Sequence, residues 1–173
     1  MKDDTYWMGI ALREAKKAAR LGEVPIGAVI VHEGTLLSSG YNLREAKQDP
    51  TAHAEIIAIR KASRKNGGWR LTGTTMYVTL EPCTMCMGAI LLARFDRVVF
   101  GCHDPKGGAA GSLYDLSDDA RLNHSVELTS GVRQEECSAI LSDFFANLRK
   151  LKKMQRSVSD AETGSQESGD RST

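Results

Sequence analysis

Two short stretches of this sequence hold side chains that can do chemistry together: His53-Ala54-Glu55 and Pro82-Cys83-Thr84-Met85-Cys86. They offer one imidazole, two thiols and one free carboxylate. A zinc ion that activates water takes three protein ligands and keeps a fourth position open, with a carboxylate nearby that moves protons without binding the metal. His53, Cys83 and Cys86 fit the ligand role, and Glu55 fits the proton-moving role. Cys83 and Cys86 stand three apart at an expected helix start, so both sulfurs fall on one face within a single turn. The free N–H groups and dipole of that helix end favour thiolate over thiol. His53 and Glu55 are two apart, and a regular helix does not point both the same way. Their helix must therefore meet the site end-on, through its first turn. Other readings fit less well. A lone C-x-x-C suits a redox pair, but here an H-x-E accompanies it. A structural zinc site needs a fourth protein ligand, for which Cys102 and His103 are the nearby candidates, and it leaves Glu55 ionised beside a metal without a task.

The elements that must position these residues follow from periodicity. Residues 3–21 form an amphipathic helix, with Trp7, Ile10, Ala11, Ala15 and Ala18 on one side and Arg13, Lys16, Lys17 and Arg20 on the other, stopped by Gly22. Residues 27–31 and 35–42 form a hairpin around His32-Glu33-Gly34, with His32 facing solvent. A polar connection, residues 42–50, leads to a helix from about Ala52 to Arg64, N-capped by Thr51 and ended by Asn66-Gly67-Gly68. Residues 74–80 are a buried strand, Pro82 opens a helix through Ala93, and residues 97–101 are another strand. A glycine-rich loop over 102–112 and a short strand at 126–129 precede a last helix from about Gln134 to Lys153. Strands alternating with helices predict one α/β domain, helices on both faces of a mixed sheet, over residues 1–156.

Composition supports that frame. With 173 residues, 41% apolar and 26% charged, the chain reads as one ordinary soluble domain with a proper core. No apolar run reaches membrane-spanning length, and the acidic start Met1–Thr5 lacks the apolar core of a secretory leader, so a cytoplasmic protein is expected and the sequon at Asn123 is idle. Cys102 and Cys137 read as small core residues. Residues 157–173 carry a net charge of −3 and no aromatic, and read as a disordered polar tail; the remainder is then +4, which permits a nucleic-acid partner without implying one.

The pattern H-x-E followed by P-C-x-x-C resembles the signature of zinc nucleobase deaminases. Beyond it, the chain resembles the bacterial tRNA-specific adenosine deaminases of the cytidine-deaminase-like superfamily over residues 4–152. The resemblance is carried by Gly22-Glu23-Val24-Pro25-Ile26-Gly27-Ala28, Tyr41-Asn42, Asp49-Pro50-Thr51-Ala52-His53-Ala54-Glu55 and Tyr77-Val78-Thr79-Leu80-Glu81-Pro82-Cys83. It continues in Asp104, Lys106, Gly108-Ala109-Ala110-Gly111-Ser112 and Leu141-Ser142-Asp143-Phe144-Phe145. The zinc motif marks only the superfamily; the glycine-rich loop and the Phe-Phe helix favour the tRNA branch. Pro105 and Gly107 vary the loop around Asp104 and Lys106.

That resemblance implies a three-layer α/β/α cytidine-deaminase-like domain with a five-stranded mixed sheet, one zinc ion per subunit and a homodimer. It implies conversion of adenosine to inosine at the wobble position of an arginine tRNA anticodon. By the same resemblance Asn42 hydrogen-bonds the flipped adenine, and Val24, Pro25, Ile26 and Ala54 line its pocket. Asp104 and Lys106 contact neighbouring nucleotides, and Phe145 and Arg149 meet the anticodon from the last helix. The residues alone leave plainer readings open. Asn42 can end a strand, Asp104 and Lys106 can be a solvated loop, Phe145 can be core, and the basic run from Arg149 to Arg156 can be a wet helix face or a phosphate-tracking patch. Rival functions are a deaminase of free guanine, cytosine or cytidine, and a non-catalytic zinc subunit that binds RNA. For a dimer interface, Met85, Met87, Ile90 and Leu91 are candidates, with core packing an equal explanation.

Overall fold

The computed structural model describes residues 2–166, with side chains through Ser157. Helix α1 (Asp4–Arg20) leads into strands β1 (Gly27–His32) and β2 (Thr35–Tyr41), then helices α2 (Arg44–Lys47) and α3 (Ala54–Asn66). Strand β3 (Thr74–Leu80), helix α4 (Thr84–Ala93), strands β4 (Arg97–Cys102) and β5 (Glu127–Thr129) and helix α5 (Gln134–Gln166) complete the order. The sheet runs β2-β1-β3-β4-β5. β1 is antiparallel to β2 and β3, whereas β3, β4 and β5 are parallel, so the sheet is five-stranded and mixed, as expected.

Alternation along the strands sends side chains to two cores. Ala28, Ile30, Met76, Val78, Val98 and Phe100 meet α3 and α4 on one face. Val29, Val31, Tyr77 and Val99 meet α1 on the other, where Cys137 joins them from α5. Burial on both faces is why these strands read as near-continuous apolar runs. Each fully buried side chain of this size contributes roughly 1.5–3 kcal/mol. Helix α1 lies close on the sheet because Gly27 has no side chain: a Cβ there would overlap the backbone of Ala11 and Ala15. Gly40 plays the same part under α3, where a Cβ would meet the carbonyl of Ala54. Asp4, at the start of α1, takes a bidentate pair of bonds from Arg97 (2.8 and 2.9 Å) and one from Tyr77 (2.9 Å), tying the first helix to β3 and β4. The Arg97 guanidinium holds the Asp4 carboxyl below its ordinary range against the opposing effect of burial.

The structure departs from the sequence reading in four places. Helix α4 starts at Thr84, two residues after Pro82, because Cys83 keeps an extended backbone as its N-cap. The polar connection after β2 contains a one-turn helix, α2, whose N-terminal N–H groups of Glu45 and Ala46 are held by the distant carboxylate of Glu23 (3.3 and 2.7 Å). Local propensity cannot reveal a cap supplied from across the fold. Helix α3 starts at Ala54 with His53 as its N-cap, two residues later than Thr51 would set, because Thr51 instead closes a turn with Asp49. Helix α5 does not stop at Lys153; it continues to Gln166. The tail expected to be disordered from Ser157 is thus helical over 157–166, and 167–173 lie outside the described residues. No glycine or proline stands between Gln134 and Thr163, and Ser157 donates its hydroxyl back to the carbonyls of Lys153 and Met154, so nothing breaks the helix there. No helix among the described residues is long and apolar enough to cross a membrane.

Candidate active site

His53 and Cys83 occupy equivalent positions. Each is the N-cap of its helix, α3 and α4, with extended backbone and no capping hydrogen bond from its side chain. The two side chains turn toward each other instead. His53 Nδ1 lies 3.7 Å from Cys83 Sγ and 3.6 Å from Cys86 Sγ, and the donor atoms of all three residues fall within 4.8 Å of one another. Two helix starts therefore converge, as the spacing of the motifs requires. The local electrostatics follow. Hydrogen bonding from the Cys86 thiol, against the effect of burial and with help from His53, lowers Cys83 to about 4, a thiolate at neutral pH. The same contact raises Cys86, which stays a thiol. His53 is raised by its hydrogen bond to Cys83, which outweighs its burial.

The donor set fits zinc. With Zn–S near 2.3 Å and Zn–N near 2.0 Å, a tetrahedral site separates nitrogen from sulfur by about 3.6 Å. The two N···S distances here are 3.7 and 3.6 Å. Among the described residues the group has no fourth protein ligand. Cys102 instead donates to the carbonyl of Thr79 (3.5 Å), and His103 turns its Nδ1 to Glu81 (3.3 Å). Cys102 and Cys137 are buried thiols, as expected, and burial pushes Cys137 up to about 12. Glu55, at the second position of α3, is 3% exposed, and its Oε2 has no hydrogen-bond partner. Burial raises its carboxyl above the ordinary range. A buried polar oxygen without a partner costs stability, so one beside three ligand atoms marks a place for something the protein binds.

Asn42 is the second such residue. It is 3% exposed, donates its amide N–H to the carbonyl of Val24 (3.2 Å), and leaves Oδ1 unpartnered. Its backbone N–H bonds the carbonyl of Ile26 (3.0 Å), and that of Leu43 bonds Ala52, beside His53 (3.0 Å). These ties draw Asn42, the Val24-Pro25-Ile26 segment and the start of α3 together. Ala54 is fully buried in the core that α3 shares with the sheet. Lys106, Phe145 and Arg149 line one groove of about 430 Å3 together with Leu141 and Ser142. Phe145 is 41% exposed, which removes the reading of it as core. Asp104 behaves differently: its Oδ1 accepts the N–H of Lys106 (3.0 Å), so it closes its own loop turn and does not line that groove.

Residues 1–102 match the family model for the cytidine and deoxycytidylate deaminase zinc-binding region. The chain is 52% identical over 156 residues to a tRNA-specific adenosine deaminase of Bacillus subtilis (strain 168), covering 90% of this chain and 97% of that one. It belongs to the tRNA-specific adenosine deaminase family. The corresponding protein of Haemophilus influenzae is 49% identical over 90% of each chain. A solved structure from a study of A-to-I editing by tRNA:A34 deaminases at the wobble position of transfer RNA superimposes with a TM-score of 0.77 at 44% identity, covering 79% of this chain and 99% of that one. The guanine deaminase of Nitrosomonas europaea, at 20% identity and a TM-score of 0.72, shares the fold. As a member of this family the chain is a zinc-dependent hydrolase.

The sequence reading missed Glu23 and Glu81, both buried carboxylates (1% and 2% exposed) that hold loops flanking the site. Burial raises Glu81, but the Ser112 hydroxyl and the N–H groups of Asp104, Ser112 and Ala110 outweigh it and hold the carboxyl low. The only hint available was an acid at the end of an apolar strand, beside Pro82 and Cys83.

Proposed function

We propose that this protein hydrolyses adenosine to inosine at the wobble position of an arginine tRNA anticodon. The chemistry rests on one observation, the buried carboxyl of Glu55, which keeps one oxygen unpartnered and interacts with His53, Cys83 and Cys86, the three donor residues. The relatives' names and the wobble-editing structure support the base and the RNA. His53, Cys83 and Cys86 would hold one zinc ion per chain. When bound, zinc supplies an acidified water at neutral pH. Glu55 takes the proton of that water and delivers it to the ring nitrogen beside the carbon under attack. The water oxygen bonds to that carbon, Glu55 takes the remaining proton of the new hydroxyl and carries it to the amino group, and the carbon–nitrogen bond breaks as the carbonyl forms, releasing ammonia. Burial raises the Glu55 carboxyl above the ordinary carboxylate range, which favours its holding the proton it takes before returning it.

Asn42, with its free carbonyl oxygen, would accept from an adenine donor beside Val24, Pro25 and Ile26; Ala54, fully buried in the core, presents no surface to the base. An anticodon base is already partly unstacked, so its extrusion costs less than in a duplex. Lys106 and Arg149 would meet phosphates and Phe145 would stack on a neighbouring base. Asp104 would act by shaping the turn that presents Lys106. A tRNA substrate is consistent with the cytoplasmic location expected from the sequence. For a homodimer, the surface differs from the stripe read off the sequence. Met87, Ile90 and Leu91 are buried within the chain, whereas Met85, Gly88 and Ala89 are half-buried and Leu92 is 69% exposed on the outer face of α4.

The test offers the zinc-loaded protein an arginine tRNA anticodon stem-loop, free adenosine, cytidine and guanine, and measures ammonia release. Release from the stem-loop alone is expected. Turnover of the free compounds with none on RNA would replace this reading by a small-molecule deaminase. Release from none would make the chain a non-catalytic zinc subunit.

A further inference from the structure

Glu81 takes no part in the chemistry above, yet donors converge on it from one whole loop. Its Oε1 accepts the N–H groups of Ala110 and Ser112, both at 3.0 Å. Its Oε2 accepts the N–H of Asp104 (2.9 Å) and the Ser112 hydroxyl, and lies 3.3 Å from His103 Nδ1. Gly108 passes so close that a Cβ there would overlap the carboxylate. The glycine-rich loop is wrapped around one acid. That acid stands two residues before the metal ligand Cys83, and the loop is stitched to the same stretch again. The N–H of Ala109 donates to the Pro82 carbonyl (2.8 Å), and Gly108 forms an isolated bridge with Cys83. The loop's outer turn carries Lys106 into the groove with Phe145 and Arg149.

We propose that Glu81 is a positioning residue for the RNA: it fixes the Lys106 loop against the Cys83 turn, so that the groove and the metal centre keep one spacing. The proposal rests on the reading of that groove as an RNA site. Only a carboxylate accepts on both of its atoms. A glutamine in its place would satisfy Ala110 and Ser112 or else Asp104, with its NH2 facing donors at the other end, and one end of the loop would come free.

The experiment measures KM, kcat and bound zinc for Glu81→Gln, Lys106→Ala and the double variant, with the arginine anticodon stem-loop as substrate. Glu81→Gln is expected to raise KM about tenfold, the scale of one lost buried hydrogen bond, to change kcat less, and to keep zinc at the wild-type level. In the Lys106→Ala background the same substitution is expected to add no more than about twofold, because the loop then has no cation left to position. Full additivity of the two substitutions, or loss of zinc from Glu81→Gln, would overturn the proposal. An unchanged KM for Lys106→Ala alone would instead overturn the RNA reading of the groove. Should Glu81→Gln fail to fold, Ser112→Ala, which removes one donor, serves in the same cycle. A rise of about threefold that disappears without Lys106 supports the positioning role, and a rise that persists overturns it.

Discussion

Replacing Glu55 by alanine is expected to leave zinc bound and to remove nearly all turnover. Both proton transfers in the proposed reaction pass through this one carboxylate, so its loss removes a general base and a general acid together. A single positioned group contributes about 10²–10⁴-fold, and a drop in kcat of at least about 10⁴-fold is therefore expected. Glu55 is no member of the three-atom donor group, and its Oε2 is unpartnered. Metal content should stay at the wild-type level, read by elemental analysis of the dialysed protein. The fold should hold as well, since removing a buried carboxylate with an unsatisfied oxygen relieves a desolvation cost. Zinc lost together with activity would show that Glu55 is a ligand, and the division of roles would fail.

Cys83→Ala is expected to do the reverse, losing zinc and turnover together. Three protein ligands leave no reserve: without Cys83 the site keeps only His53 and Cys86 and loses the thiolate that stands ready at neutral pH. The same titration behaviour sets the pH dependence of loading. Cys83, at about 4, already carries its charge at pH 6. Cys86 must give up a proton, and so must His53, whose value is raised above its ordinary one. Zinc uptake at pH 6 should release about two protons per ion, and affinity should fall as pH falls. Calorimetry in buffers of different ionisation enthalpy reads that number. Uptake with no proton release, or a Cys83→Ala protein that keeps its zinc, would contradict the assignment.

What the sequence made legible was the part ruled by local spacing. Cys83 and Cys86 stand one helical turn apart, and the β-branched and aromatic run of residues 74–80 marked a buried strand. The end-on approach of α3 followed from two residues alone, since His53 and Glu55 cannot share a helix face; the structure meets that constraint by making His53 the cap and Glu55 the second helical residue. What could not be read were contacts made across the chain. Glu23 caps a helix two dozen residues away, and Glu81 gathers a loop that begins some twenty residues later. An isolated acid in a sequence gives no sign of which distant N–H groups will surround it. Phe145 fits the same spacing whether it faces core or groove, and only packing decides that it faces outward. Asp104 and Lys106 look alike as a polar pair, yet one closes a turn and the other lines the groove.

The central claim, wobble-position deamination by this site, is tested most directly by sequencing. A complete set of unmodified tRNA transcripts is incubated with the zinc-loaded protein and, separately, with Glu55→Ala, and inosine is mapped as adenosine read as guanosine after reverse transcription. Conversion confined to the wobble adenosine of the arginine transcript, present with the wild-type protein and absent with the variant, is the predicted result. Conversion at other positions but not there, or none anywhere with the metal site fully loaded, would contradict it.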